Sequence, residues 1–369
     1  MIGSLPLDAP DLEGRLAAAL EAVETRLMEV VSRADEVINA PTSHLAAAGG
    51  KRLRPALALL TAQLGDPELA TSESVRDAGV TVELTHIATL YHDDVMDDAP
   101  LRRGAPSAQT VWGNSAAILT GDLLLSRASQ IVAALGQKAV LAHARTFERL
   151  CMGQLHETLP RPVGTDPVEH YIQVLADKTG SLIAVAARYG AMLTNAGAET
   201  ERVVEEFGER IGVAFQLADD VIDLTSDSQT TGKTPGTDLR EGVDTMPVLL
   251  LRKALAAGTL DSAGQSILSA LSTEDLGDDA VLAKVVSKLR EHPVLERTQE
   301  MAFAWAQDAV AALTGLEEAV AAGTAERLDA AGVVDDAARQ LVLADAAART
   351  GVVREGLEKL ACLLVDRTA

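Results

Sequence analysis

The chain has 369 residues, of which 47% are hydrophobic and only 2% aromatic, and 32 basic against 54 acidic side chains give it a net charge of −22. This charge excludes a protein that binds nucleic acid through a broad basic surface. The two cysteines exclude a disulfide framework or a Cys-based zinc site, and the absence of a long apolar run or a signal-peptide pattern predicts no membrane span and a cytoplasmic location.

Helical periodicity runs along almost the whole chain, and the alternating pattern of strands is nearly absent. The predicted helices cover 9–39, 43–48, 55–65, 72–97, 107–135, 138–158, 167–195, 199–227, 246–257, 259–273, 276–291, 293–322, 326–346 and 350–366. Pro41, Gly49-Gly50 and the segment 160–162 are the clearest predicted breaks before the second half of the chain. The prediction is an all-α fold in one domain, 1–369, with the chemical motifs within 45–250 and peripheral helices over 259–369.

The first chemical motif is the basic segment 49–55, Gly-Gly-Lys-Arg-Leu-Arg-Pro. Its two glycines allow a tight turn, and Pro55 suits the first turn of the following helix. Lys51 supplies a point charge and Arg54 a fork of donors, which together suit a diphosphate group. The alternative is a solvated basic loop at the start of a helix.

The predicted helix 72–97 ends in an acidic motif, Asp-Asp-Val-Met-Asp, at 93–97. Asp93 and Asp97 share one helical face, and no Lys or Arg lies within four residues on either side. Carboxylates without a basic neighbour suit a hard cation such as Mg²⁺. His86 lies two turns before Asp93 and faces roughly the same way, although a helical histidine is more often a packing residue. An exposed helix end is the alternative for the acidic motif itself.

Two adjacent arginines, Arg102 and Arg103, follow the first acidic motif closely. Because they are neighbours, one of them can face a metal-bound phosphate while the other faces elsewhere. The alternative is a loop in which these arginines form ion pairs with Asp97 and Asp98.

A second Asp-Asp-x-x-Asp motif lies at 219–223, and Gln216 precedes Asp219 on the same helical face. Lys178 and Thr179 lie within an apolar helix upstream of it, and Lys233 lies in a Gly-Lys-Thr loop downstream. That loop lacks the glycine spacing of a P-loop, so nucleotide binding is disfavoured. Two acidic faces that oppose each other would form a cage for several metal ions and a polyanionic substrate.

Taken together, these motifs resemble the trans-type polyprenyl diphosphate synthase family. The matching segments are GGKRLRP at 49–55, HDDVMDDAPLRRG at 92–104, KTG at 178–180, FQLADDVIDL at 215–224 and GKTPGTDLREG at 232–242. The resemblance implies long, mostly antiparallel helices around a deep central cavity, and a homodimer. It also implies Mg²⁺-dependent, head-to-tail condensation of isopentenyl diphosphate with an allylic diphosphate.

The resemblance also implies roles for individual residues. For isopentenyl diphosphate the matching residues are Lys51, Arg54, His86 and Arg103. For the allylic diphosphate they are Arg102, Lys178, Thr179, Gln216 and Lys233. The implied ligands of three Mg²⁺ ions are Asp93, Asp97 and Asp219, with Asp94, Asp220 and Asp223 in support. The implied catalytic residues are Asp93, Asp97 and Asp219, which would hold the Mg²⁺ ions that stabilise the departing diphosphate, and Lys178 and Lys233, whose ammonium groups would stabilise it directly.

The resemblance also implies that product length depends on residues one to three turns before Asp93, which are the small Ala88, Thr89 and Thr85 and the aliphatic Val82. Without an aromatic plug there, the resemblance implies a medium- or long-chain product of about C30 to C50. The alternatives are a geranylgeranyl diphosphate synthase and a non-catalytic partner subunit. A class I terpene cyclase is disfavoured, because the second motif is Asp-Asp-x-x-Asp rather than an Asn-Ser-Glu type.

Overall fold

The computed structural model describes residues 9–225 and 235–366. Its α-helices are α1 (Pro10–Val31), α2 (Glu36–Ala47), α3 (Leu53–Thr61), α4 (Glu73–Met96), α5 (Ala108–Trp112), α6 (Asn114–Ala134), α7 (Gln137–Thr158), α8 (Pro167–Leu175), α9 (Ser181–Leu193), α10 (Ala198–Thr225), α11 (Thr237–Arg240), α12 (Met246–Ala256), α13 (Ser262–Thr273), α14 (Asp279–Glu291), α15 (Pro293–Ala312), α16 (Leu316–Ala330) and α17 (Asp336–Val365). A 3₁₀ turn follows α3 at Ala62–Leu64, and a π-helical turn joins α8 to α9 at Ala176–Gly180.

The prediction of an all-α fold is confirmed. Over the described ranges, the extended structure consists of one hairpin of two-residue strands, β1 (Leu101–Arg102) and β2 (Ala105–Pro106), which pair antiparallel. No helix of the described ranges is both long enough and apolar enough to cross a membrane.

Several predicted helix boundaries were wrong, for local reasons. The predicted helix 9–39 ends at Val31, because Asp35 caps a new helix by accepting hydrogen bonds from the backbone of Val37 and Ile38. The predicted helix 107–135 is interrupted at Gly113, where φ is 84°. Pro41 lies inside α2 instead of ending it, and the buried hydroxyl of Tyr91 donates to the Pro41 carbonyl oxygen.

The contacts divide the described chain into two compact units. The first unit contains 9–148, 182–208 and 310–360, and in it α4 packs against α1, α3 and α6. Aliphatic side chains fill its core, with Tyr91, Tyr189 and Phe207 as the largest fully buried residues. The long α4 begins at the Ser72 N-cap and carries the first acidic motif at its C-terminal end. The assignment of 1–369 to a single domain stays a prediction.

The second unit contains 149–181, 209–225, 235–309 and 361–366. One of its hydrophobic clusters joins Val221 and Leu224, which flank the second acidic motif, to residues of later helices. Those partners include Val248 of α12, Ile267 of α13 and Leu282 of α14. The helices that follow residue 259 therefore support the C-terminal end of α10, where the second motif lies.

Candidate active site

The basic segment forms a tight left-handed turn ahead of α3. Gly49, Gly50 and Arg52 have φ values of 83°, 156° and 49°, conformations that glycine adopts at low cost and arginine does not. Arg52 is held there by ion pairs to Glu24 at 2.6 Å and to Glu83 at 2.7 Å. Its side chain is 7% exposed, so Arg52 organises the turn, while Lys51 remains at the surface.

Glu83, in the middle of α4, is the counter-ion of this basic cluster. Its carboxylate is 2% exposed and lies 2.7 Å from Arg52 and 3.7 Å from Arg103. Burial and the charge of Arg103 lower the pKa of Arg54 to about 10, although the Glu83 carboxylate acts in the opposite direction. The Arg54 Nε is shielded from solvent and has no hydrogen-bond partner within the described structure. A cationic pocket with an unused donor is suited to an anion.

His86 lies in the same cationic environment, one turn after Glu83 on α4. Burial lowers its pKa well below the usual value, and the charges of Arg54 and Arg103 lower it further. The imidazole is therefore neutral near pH 7 and can donate one N–H to a ligand without adding charge. The structure thus brings Arg54, His86 and Arg103 together, and their assignment to isopentenyl diphosphate stays a prediction.

Arg103 is fixed by the hairpin turn. Its φ of 54° and that of Gly104, 78°, close the β1–β2 hairpin. Its Nη1 donates to the carbonyl oxygen of Leu45 at 2.9 Å and to that of Gly49, which ties the hairpin to the basic turn. The neighbouring Arg102 points elsewhere and donates through Nε to Asp94 at 2.5 Å. The two arginines therefore point in different directions, and Arg102 forms an ion pair with Asp94.

The first acidic motif ends α4. Asp93 is partly buried and Asp97 is exposed, whereas Asp94 is fully buried. Burial raises the pKa of Asp94 against the lowering effect of Arg102. No basic residue lies in the last turn of α4. Because the C-terminus of a helix carries partial negative charge, carboxylates there are unfavourable unless a cation joins them.

The second acidic motif has the same setting at the end of α10. Gln216, Asp219 and Asp223 are partly buried, and no basic residue lies in the last turn. Asp220 is different, because Tyr171 donates its hydroxyl to both carboxylate oxygens, at 3.1 and 3.0 Å, and the Met246 backbone N–H donates at 3.1 Å. Burial raises its pKa well above the usual value. Asp220 therefore joins α8 and α12 to α10.

Lys178 and Thr179 lie in the π-helical turn, both partly buried. The Lys178 ammonium forms an ion pair with Glu157 of α7. The π-helix was not predicted, and such turns occur frequently at functional sites.

Lys233 lies outside the described residues. Three further residues were not predicted: Glu83, Tyr171 and Gln109, whose side-chain amide donates to the backbone oxygens of Asp94 and Ala99. Only Glu83 carried a signal, as a charged residue within an apolar helical run.

The donor set fits Mg²⁺. Each motif presents carboxylate oxygens in i, i+4 register at a helix C-terminus, and hard divalent cations prefer oxygen ligands. No group of three or more His, Cys, Asp or Glu side chains is gathered into a metal site within 9–225 and 235–366. Asp93 and Asp97 belong to the first unit, and Asp219 belongs to the second. Each unit therefore carries only part of the expected set of metal ligands.

The chain is similar to known proteins over most of its length. The sequence model of the family described as Polyprenyl synthetase matches residues 35–288. The nonaprenyl diphosphate synthase of Mycobacterium tuberculosis is 43% identical over 297 residues, which cover 79% of this chain and 86% of that protein. The octaprenyl diphosphate synthase of Escherichia coli is 32% identical, covering 85% and 92%. A solved geranylgeranyl pyrophosphate synthase from Corynebacterium glutamicum, complexed with calcium and isoprenyl diphosphate, has a TM-score of 0.76 and 36% identity, with 98% of each chain covered.

Proposed function

The chain belongs to the polyprenyl synthetase family and is a prenyltransferase, and from this premise we propose that it condenses isopentenyl diphosphate with an allylic diphosphate in a Mg²⁺-dependent head-to-tail reaction. The observation that carries the proposal is the repeated acidic motif at a helix C-terminus, together with the cationic pocket around Glu83. The carboxylate oxygens suit a divalent cation, and the arginine donors suit a diphosphate.

Within the proposal, Asp93 and Asp97 of the first motif and Asp219 of the second would be the residues that hold three Mg²⁺ ions. Bound Mg²⁺ supplies the positive charge that stabilises a departing diphosphate. The residues that hold and stabilise that diphosphate from the protein side are Arg102, Lys178, Thr179, Gln216 and Lys233. These cationic and polar donors act on charge that develops as the C–O bond breaks.

Isopentenyl diphosphate binds, in this proposal, at the cationic pocket formed by Lys51, Arg54, His86 and Arg103. The unused Nε of Arg54 and the neutral imidazole of His86 support this assignment. Neutral His86 donates a hydrogen bond, and the arginines provide the compensating charge. Glu83 keeps the arginines from repelling one another before the diphosphate arrives.

The proposed condensation needs no protein side chain as a base to accept a proton. The allylic C–O bond breaks, and its electron pair leaves with the diphosphate. The double bond of isopentenyl diphosphate then attacks the allylic cation and forms the new C–C bond. The proton lost from the resulting cation passes to the released diphosphate, which lies next to it. The protein residues therefore bind, orient and exclude water.

The product in this proposal is a medium- or long-chain polyprenyl diphosphate of about C30 to C50. The similarity to nonaprenyl and octaprenyl diphosphate synthases favours this length over a geranylgeranyl product. On α4, Val82, Thr85 and Ala88 are fully buried, whereas Thr89 keeps some exposure one turn before Asp93. Thr89 is thus the small side chain best placed to line an open path for the growing chain.

The proposed assembly is a homodimer in the cytoplasm. Support for a dimer comes from large apolar side chains left exposed in the first unit: Ile118 and Leu119 on α6, and Val140 and Leu141 on α7. Large apolar side chains that face solvent are candidates for burial in an interface between two copies of the chain. Light scattering should give twice the chain mass for the native protein and the chain mass for Leu119→Glu. A monomeric native protein would refute the dimer and leave the chemistry untouched.

The test of the metal-dependent reaction uses Asp93→Asn and Asp219→Asn, assayed for consumption of labelled isopentenyl diphosphate with farnesyl diphosphate and Mg²⁺. Each variant should lose about 10²-fold or more in kcat, because each removes a carboxylate that the transition state requires. Asp98→Asn, an exposed aspartate just beyond the first motif, is the matched control and should stay within about twofold. Near-native rates for Asp93→Asn and Asp219→Asn would refute the metal assignment.

A further inference from the structure

We propose that Arg149 is a positioning residue for the allylic-diphosphate side of the site, because it fixes the π-helical turn that carries Lys178 and Thr179. The inference rests on the proposed function and deepens it. Arg149 lies on α7, outside every motif that the sequence analysis identified. It does not have to touch substrate in order to act, since the structure links it to residues that are expected to do so.

Arg149 makes a fork of contacts beneath the π-helical turn. Its Nε donates to the buried carboxylate of Asp177 at 2.7 Å, and its Nη1 donates to Glu209 of α10 at 2.6 Å. Its Nη2 reaches the Ala176 carbonyl oxygen at 3.4 Å, the same oxygen that accepts the i+5 backbone bond of the turn. Gln173 donates to the second carboxylate oxygen of Asp177 at 2.9 Å. Both carboxylate oxygens of Asp177 are therefore paired.

Glycines allow the neighbouring helices to approach this turn closely. A Cβ atom on Gly153 of α7 would lie 2.9 Å from the Lys178 backbone nitrogen and from its Cγ. A Cβ atom on Gly212 of α10 would lie 2.5 Å from the Cα of Gly180. Both distances are shorter than a carbon contact permits, so only glycine fits at either place. The turn is thus held by backbone packing on two sides and by the Arg149 fork.

The fork also sets the register between the π-helical turn and α10. Glu209 lies two turns before Gln216 on α10, so the two residues share a face, and Asp219 follows Gln216 by one further turn. A shift of Arg149 would therefore change the relation of Lys178 to Gln216 and Asp219 together. Because small displacements of groups that hold a diphosphate are costly, the effect should appear in allylic binding and turnover.

The test measures initial rates with farnesyl diphosphate and isopentenyl diphosphate varied separately. Arg149→Ala should raise KM for farnesyl diphosphate about tenfold and lower kcat, with KM for isopentenyl diphosphate within about twofold. Arg149→Lys should recover part of the loss, because a single ammonium can pair with Asp177 or Glu209 but not span both. Calorimetry with inorganic diphosphate and Mg²⁺ gives a second readout, in which Arg149→Ala should bind about tenfold more weakly than the native protein.

Arg188 on α9 provides a matched control. It bridges Glu201 at 3.3 Å and Glu205 at 3.1 Å, with 27% of its side chain exposed against 34% for Arg149. Arg188→Ala should lose about as much thermal stability as Arg149→Ala. Its KM values for farnesyl diphosphate and isopentenyl diphosphate should stay at those of the native protein. Equal KM changes for the two substrates in Arg149→Ala, or the same kinetic profile in both alanine variants, would overturn the positioning role. If the native protein neither turns over nor binds diphosphate, the proposed function fails first, and this inference fails with it.

Discussion

Arg102 donates through its Nε to the fully buried Oδ1 of Asp94 at 2.5 Å, and this bond joins the β1–β2 hairpin to the end of α4. Gln109 reinforces the junction by donating to the backbone oxygens of Asp94 at 2.8 Å and Ala99 at 2.6 Å. The second aspartate of the first acidic motif therefore orients an arginine expected to hold diphosphate, while Asp93 and Asp97 are the residues expected to bind metal.

Removing this anchor should affect stability and allylic binding together. We expect Asp94→Ala to lower the free energy of unfolding by about 1–3 kcal/mol, because the buried bond is lost while the Arg102 guanidinium, 30% exposed, can still be hydrated. KM for the allylic diphosphate should rise as well. Urea unfolding and initial rates measure the two effects. Asp98→Asn, which keeps a residue suited to the φ of 50° at that position, should change the free energy of unfolding by less than about 0.5 kcal/mol, and an equal loss in both variants would contradict the anchor.

Glu83 should be essential for the stability of the basic pocket. Glu83→Gln removes the buried counter-charge of Arg52 and Arg103. The free energy of unfolding should fall by about 3–5 kcal/mol, as expected when one partner of a buried ion pair is lost. Glu205→Gln, which weakens the more exposed pair with Arg188, should cost less than about 1 kcal/mol. Urea titration of both variants measures these changes. Similar losses in the free energy of unfolding would show that Glu83 has no special role.

Product length should respond to the residue one turn before Asp93. Thr89→Phe places an aromatic ring at the partly exposed position of α4 and should shorten the main product. Ala88→Phe is a less direct probe, because Ala88 is fully buried and overpacking there costs about 1–3 kcal/mol. Mass spectrometry of the extracted products gives the answer, with Thr89→Ser as the control that keeps the native length. Native-length product from Thr89→Phe would place the limit of the cavity elsewhere.

Stability should decrease in mild acid through a buried histidine. His143 of α7 is 8% exposed, and burial lowers its pKa below the usual value of about 6.5. The unfolded chain therefore binds more protons than the folded chain below that value, so the stability that this residue supports is present at higher pH and lost as the pH falls. The pKa of His86 is also lowered, so its contribution to stability is likewise lost as the pH falls.

The measurement is the free energy of unfolding at about pH 7.5 and about pH 5.5 for the native protein and His143→Gln. The native protein should lose more stability between the two conditions than the variant does. His86 remains in both proteins, so the variant should keep part of the dependence. Identical pH dependence of the two proteins would contradict the assignment to His143.

Much of the fold could be predicted, because the relevant information is local, whereas the roles of the site residues stay predictions. Apolar periodicity predicted α4 and α10, and the i, i+4 spacing predicted that Asp93 and Asp97 share a face. Arg54, His86 and Arg103 were assigned to one substrate site only through the resemblance to a family, because no local pattern joins residues so far apart in sequence.

The parts that could not be predicted depend on contacts between distant residues. Glu83 is 31 residues from Arg52, and Tyr171 is 49 residues from Asp220. No local pattern joins either pair. The π-helical turn adds one residue to a helix without breaking its apolar face, so the predicted helix 167–195 ran through it. The break after Val31 was missed because Ser32 and Asp35 were not recognised as the end of one helix and the cap of the next.

The most direct measurement is the product formed from labelled isopentenyl diphosphate and farnesyl diphosphate by the native protein, with Mg²⁺ or with excess chelator. We predict polyprenyl diphosphate of about C30 to C50 with Mg²⁺ and none with chelator. A product that stops at the geranylgeranyl length would contradict the proposed chain length. Absence of any consumption of isopentenyl diphosphate in the presence of Mg²⁺ would contradict the proposed reaction itself.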